Sequence, residues 1–143
     1  MASFPDGDLG EYTFTESEMI AFARQYDPQT FHTDPRAAEA SIHGGLIASG
    51  WMTVAVMMKL ITARAADTTP GAVISPGFEN LRWHKAVRPG TTLRYTSRVT
   101  ERRALKSRPT LELVLSRAEA RDRDGTLYMS IVTKVLMEKG SAA

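Results

Sequence analysis

Between Leu46 and about Ala66 the chain is apolar on nearly every side of a helix: Leu46, Ile47, Ala48, Trp51, Met52, Val54, Ala55, Val56, Met57, Met58, Leu60 and Ile61 leave no continuous polar face. A helix hydrophobic all round is a buried one. Lys59 and Arg64 interrupt the run, which therefore lacks the ~20 uninterrupted apolar residues of a membrane span. The stretch predicts a central helix that the rest of the chain has to cover. Met52, Met57 and Met58, with the later Met129, read as adaptable core filler, and Trp51 and Trp83 as core or interface aromatics.

The cover is written downstream as alternation. Apolar and polar residues alternate over Phe78–Val87, Thr92–Val99, Leu111–Leu115 and Leu127–Leu136, and turn signals fall at Arg88-Pro89-Gly90, near Pro109 and at Asp122-Arg123-Asp124-Gly125. With a short strand at Glu11–Thr13, these segments predict an antiparallel sheet wrapped around one helix, an α+β arrangement. A chain of 143 residues forms one domain that buries about 70% of the surface its unfolded form exposes. Residues 1–8 and 139–143 read as loose ends.

Composition narrows the function classes. The absence of cysteine excludes thiol catalysis and a thiolate metal site and fits a reducing compartment. No basic and apolar leader opens the sequence, so the expected location is the cytoplasm. Net charge is +2 with a pI near 9.1, and Lys and Arg alternate with Glu and Asp, not in blocks. That argues against nucleic acid as a partner, while a small basic excess suits a phosphate-bearing small molecule.

Upstream of the buried helix the signals are local. Thr15-Glu16-Ser17-Glu18 has the form of a capping box, and Met19, Ile20, Phe22 and Ala23 supply an apolar stripe that should end near Tyr26, ahead of Pro28. Asp34-Pro35 reads as the cap and first residue of a short helix through Ala40. Between these helices Asp27 and His32 stand five residues apart in a proline-containing loop. Gly44 and Gly45 then open the apolar helix, where bare backbone N–H groups could approach a ligand. An acid/base pair thus stands beside a candidate oxyanion hole. Ser49, a hydroxyl on an apolar helix, must bond its own turn or reach across to Asp27. His43 is either a local cap or a ligand contact, and His84, between Trp83 and Lys85, reads as structural or surface.

Asp27 and His32 with the Asp34-Pro35 continuation, His43-Gly44-x-Leu46, and Phe78-Glu79-Asn80-Leu81-Arg82-Trp83 leading into Val87-Arg88-Pro89-Gly90 together resemble the MaoC-like dehydratases, including the R-specific enoyl-CoA hydratases, over nearly the whole chain. The family loop is usually written Asp-x-Asn-Pro-x-His; here Gln29 stands in place of Asn and the proline is moved forward to Pro28. The resemblance implies a hot-dog fold, a homodimer at least, and a thioester substrate on coenzyme A or acyl carrier protein. It implies no cofactor beyond the coenzyme A of the substrate and no metal. It also implies that Asp27 and His32 are catalytic, that Gly44 and Gly45 hold the thioester oxygen, and that Gln29, Phe31, His43 and Ser49 bind substrate or support the dyad.

The implied reaction, addition of water to a trans-2-enoyl thioester, needs a base for water, an acid for C2 and donors for the charge that builds on the thioester oxygen. In that scheme Asp27 is the main base and His32 orients the water and passes a proton. Two alternatives stand beside it. A hot-dog thioesterase can carry its carboxylate on the central helix, but Leu46–Ala66 holds no Asp or Glu; a non-catalytic acyl-thioester binding subunit would have lost the dyad that is present here.

Overall fold

The computed structural model describes residues 5–65 and 72–139. Nine elements follow one another: β1 (Gly7–Thr13), α1 (Glu16–Tyr26), α2 (Thr30–Thr33), α3 (Pro35–Glu39), α4 (Gly50–Ala65), β2 (Ala72–Trp83), β3 (Thr92–Ala104), β4 (Leu111–Arg121) and β5 (Leu127–Glu138). The strands form one five-stranded sheet in the order β1-β3-β4-β5-β2, with every neighbouring pair antiparallel. This sheet around α4 is the hot-dog fold.

Alternation sorts β3 cleanly. Leu93, Tyr95 and Ser97 are buried, whereas Arg94, Thr96 and Arg98 are exposed, as a strand with one covered face requires. The buried face meets Met52, Val56, Met57 and Ile61 of α4, joined by Phe14, Met19, Val114, Ala118, Ala120, Met129 and Ile131. Burying one such large side chain contributes about 1.5–3 kcal/mol. Tyr95 is polar at its tip, and its hydroxyl donates to the Thr53 carbonyl at 2.9 Å; burial pushes its phenol far up, so it stays a donor.

Several boundaries differ from the sequence reading. β1 begins at Gly7, inside the stretch expected to be loose, because it pairs with β3 from Gly7↔Ser97 onward. β2 ends at Trp83 and does not reach Val87: the chain leaves the sheet after His84, whose N–H donates to the Tyr128 carbonyl, and Val87 instead accepts from Ala48 N–H at 2.9 Å. Met58 is 47% exposed and is not core filler, whereas Met52, Met57 and Met129 are buried. The short helix α2 was not anticipated. Among the described residues no helix is long and apolar enough to cross a membrane.

α4 starts at Gly50, four residues later than its apolar pattern begins. The reason is long-range. Ile47 N–H donates to the Phe31 carbonyl (3.1 Å) and Ala48 N–H to Val87, so Leu46–Ser49 is a buried extended segment laced to two other loops. Helix begins where those partners run out, and Ser49 serves as its cap, accepting from Trp51 N–H at 3.3 Å.

Candidate active site

The two helix caps upstream behave as their sequences predict. Thr15 Oγ1 accepts from Glu18 N–H at 3.3 Å, and Asp34 Oδ1 accepts from Arg36 and Ala37 N–H at 3.0 and 3.2 Å. Between them α1 ends on Asp27, whose N–H still donates to Ala23 (2.8 Å) while its φ of −152° turns the chain out of the helix. Pro28 then excludes further helix, and α2 carries His32 back toward Asp27. His32 Nε2 lies 3.3 Å from Asp27 Oδ2.

Each member of that pair is held from behind. Gln29 Nε2 donates to Asp27 Oδ1 at 2.8 Å, and the fully buried Ser49 hydroxyl donates to Oδ2 at 2.7 Å. Burial tends to raise the Asp27 carboxyl, but these two hydrogen bonds and the neighbouring His32 outweigh it and hold the group below its ordinary value of 3.8. Asp27 is therefore ionised at neutral pH. His32 Nδ1 stands 2.7 Å from the Ile47 carbonyl, an acceptor only, which assigns the proton to Nδ1 and leaves Nε2 facing the carboxylate. At 3.3 Å the gap is longer than the ~2.7–2.9 Å of a direct charge-assisted bond. The imidazole nitrogen and the carboxylate oxygen so placed converge on one spot.

Phe31, half-buried, packs edge-on against the His32 ring and tilted against His43, each at 4.6 Å between centroids. The His43 carbonyl accepts from Arg88 Nη2. His43 thus takes part in fixing the loop, and its ring reaches the dyad only through Phe31.

The glycines are placed differently from expectation. Gly44 and Gly45 lie in a bend with φ of +65° and +158°, ahead of the extended segment, and so do not open the helix. Gly44 N–H already donates to the Ser41 carbonyl at 3.1 Å. Neither glycine lines the cavity of about 290 Å³ that His32 faces, whose walls include Ile47, Ala48, Gly50, Thr53, Trp83 and His84. The helix N-terminus at that cavity is Gly50. With Trp51 N–H on Ser49 Oγ and Met52 N–H on the Ser49 carbonyl, the Gly50 N–H is the first orphan donor of α4.

Sequence reasoning gives Gly50 and Thr53 no role and reads Trp83 as a core or interface aromatic, not as a cavity wall. Ser49 directly before an apolar run is a helix-start signal and would have moved the N-terminus to Gly50. Trp83 gave no such clue. His84 was read as structural or surface; its Nε2 lies 2.8 Å from Ser130 Oγ, and the residue lines the cavity. Among the described residues no three His, Asp or Glu side chains converge to hold a metal ion.

Residues 8–119 match the family model of the MaoC like domain. The MaoC-like dehydratase from Rhodospirillum rubrum is 32% identical, with a TM-score of 0.82 over 95% of this chain and 92% of that one. The monoamine oxidase regulatory protein from Archaeoglobus fulgius shares the fold at 20% identity, TM-score 0.85, over 96% and 91% of the two chains. So does the (R)-hydratase from A. caviae involved in PHA biosynthesis, at 19% identity and TM-score 0.65 over 87% and 89%. No curated protein gives a significant match to the chain. On the family match across most of its length and the likeness to the Rhodospirillum rubrum protein, this chain belongs to the MaoC-like domain family.

Proposed function

We propose that the protein is an acyl-thioester hydratase/dehydratase that adds water reversibly to a trans-2-enoyl-CoA to give the (R)-3-hydroxyacyl-CoA. One observation carries the reading: Asp27 Oδ2 and His32 Nε2 stand 3.3 Å apart, each fixed from behind, and His32 lines a cavity. A water donating one hydrogen to Asp27 and the other to His32 Nε2 would be aimed by both. As its oxygen bonds to C3, Asp27 takes a proton, the electron pair of the double bond shifts toward the thioester, and charge builds on the thioester oxygen. C2 is then protonated from the dyad, completing the addition. The Gly50 N–H at the N-terminus of α4 is the donor assigned to that oxygen, where a lost donor typically costs about 10²–10³ in rate. The role expected of Gly44 and Gly45 passes to it.

The working unit is a homodimer of the cytoplasm acting on coenzyme A thioesters. Strand β2 is a sheet edge, and Ile74, Phe78 and Trp83 on it, with Trp51 and Met58 of α4, are 45–61% exposed. An apolar surface of that kind marks an interface.

The test follows loss of enoyl-thioester absorbance across a panel of trans-2-enoyl-CoA substrates, with released thiol measured in parallel by a disulfide dye. Loss of the conjugated double bond without thiol release is the expected result. Rapid thiol release with the double bond intact would make the protein a thioesterase, and no change in either would leave the binding-subunit reading.

A further inference from the structure

Trp83 is the last residue of β2, yet its indole is anchored to the first turn of α4. Nε1 donates to the Gly50 carbonyl at 3.0 Å and lies 3.2 Å from Thr53 Oγ1. The ring also occupies the space a side chain at position 50 would need: a Cβ on Gly50 would fall 2.4–2.8 Å from three indole atoms. Its far side meets Trp51 edge-on, at 5.1 Å and 81° between ring planes. A side chain held by two polar contacts, a missing Cβ and a second indole is a fixed wall, and it stands in the same cavity as His32. That cavity, about 290 Å³, is at the bottom of the ~300–1,000 Å³ usual for small-molecule sites.

We infer that Trp83 sets the acyl-chain length of the substrate: its indole closes the cavity beyond Gly50 and Thr53 and restricts the site to short-chain acyl thioesters. This rests on the acyl-thioester reading above and deepens it by naming the substrate class. Because the indole is locked by Gly50, the limit is rigid. Removing the ring extends the cavity toward Trp51, whereas shrinking it to phenyl keeps most of the wall and loses only the N–H anchor.

The experiment measures kcat/KM for trans-2-enoyl-CoA of four, six, eight and ten carbons with wild type, Trp83→Ala, Trp83→Leu and Trp83→Phe, and Kd for the matching saturated acyl-CoAs, which cannot react. For wild type both quantities should favour four carbons. In Trp83→Ala and Trp83→Leu the ratio of eight-carbon to four-carbon values should rise at least tenfold, and Trp83→Phe should stay near wild type. If Trp83→Ala fails to fold, Trp83→Leu carries the comparison, with the circular dichroism spectrum as the check. An unchanged length preference in both enlarged variants overturns the wall. Binding that shifts in preference without any hydration overturns the reaction proposed above and leaves the wall standing; no acyl-CoA binding by any of the proteins overturns both.

Discussion

Replacing Ser49 by alanine removes two hydrogen bonds from a fully buried position, the hydroxyl's donation to Asp27 Oδ2 and its acceptance from Trp51 N–H. A bond to a charged group contributes about 1.5–3 kcal/mol and a Ser cap about 0.5–2 kcal/mol, so the expected loss of stability is about 2–5 kcal/mol. At roughly 2–4 °C per kcal/mol for a chain near this size, Tm should fall by on the order of 10 °C. The catalytic consequence has a definite sign. Asp27 is held below its ordinary value in part by this donor, so its loss raises the carboxyl, and the acid limb of the kcat/KM profile moves to higher pH. Thermal denaturation and a pH–rate profile of Ser49→Ala beside wild type measure both effects. An acid limb that superimposes on wild type, with Tm unchanged, would refute the assignment of Ser49 as the second donor to the base.

Four further outcomes are expected. Asp27→Asn and His32→Ala should each lower kcat by about 10²–10⁴-fold, and the double variant should fall little further, because in the proposed reaction the two share one water; near-full turnover by either single variant removes the dyad mechanism. Gly44→Ala places a side chain at φ +65° where nothing lies within 4 Å of the new Cβ, so it should cost about 1–2 kcal/mol of stability through backbone conformation alone, whereas Gly50→Ala collides with Trp83 and should cost kcat; calorimetry and turnover separate the two. Asp27, Glu18 and Glu119 all have carboxyls held below their ordinary values of 3.8–4.5. A depressed carboxyl stabilises the fold above its unfolded value and stops doing so as pH falls through its folded value, so stability should be level from neutral pH to about 5 and drop below about 4, as urea midpoints across pH would record. Sedimentation at micromolar concentration should give a dimer, and a stable monomer would contradict the role assigned to the exposed face of β2 and α4.

What was legible in the sequence was what local chemistry decides. Thr15 and Asp34 cap helices because their side chains reach N–H groups two or three residues on, and an apolar run without a polar face has only one place to go. Asp27 and His32 were legible as a pair because the turn between them is short. The start of α4 was not. Its onset depends on Phe31 and Val87 claiming the N–H groups of Ile47 and Ala48, partners 16 and 39 residues away in the chain, and no propensity at Leu46 registers that. The proposed oxyanion donor moves with the helix start, from Gly44 and Gly45 to Gly50. The Gly50–Trp83 lock joins a residue that lacks a side chain to one that fills its place 33 positions later, and neither residue hints at the other.

The order of strands in the sheet also fixes an order of events at the ribosome. Among the described residues β2 pairs only with β5, which follows β3 and β4 in the sequence, so after synthesis it must wait for β3 and β4 to emerge before it has a neighbour. An unpaired strand carrying Ile74, Phe78 and Trp83 invites pairing with other nascent chains. Three register shifts against β5 and the Ser75-Pro76-Gly77 break lie along it, and such irregularities make a poor template for a foreign strand while leaving the native partner able to dock. During the interval before β5 arrives, a regular strand in its place would be an aggregation hazard that the irregular one lessens.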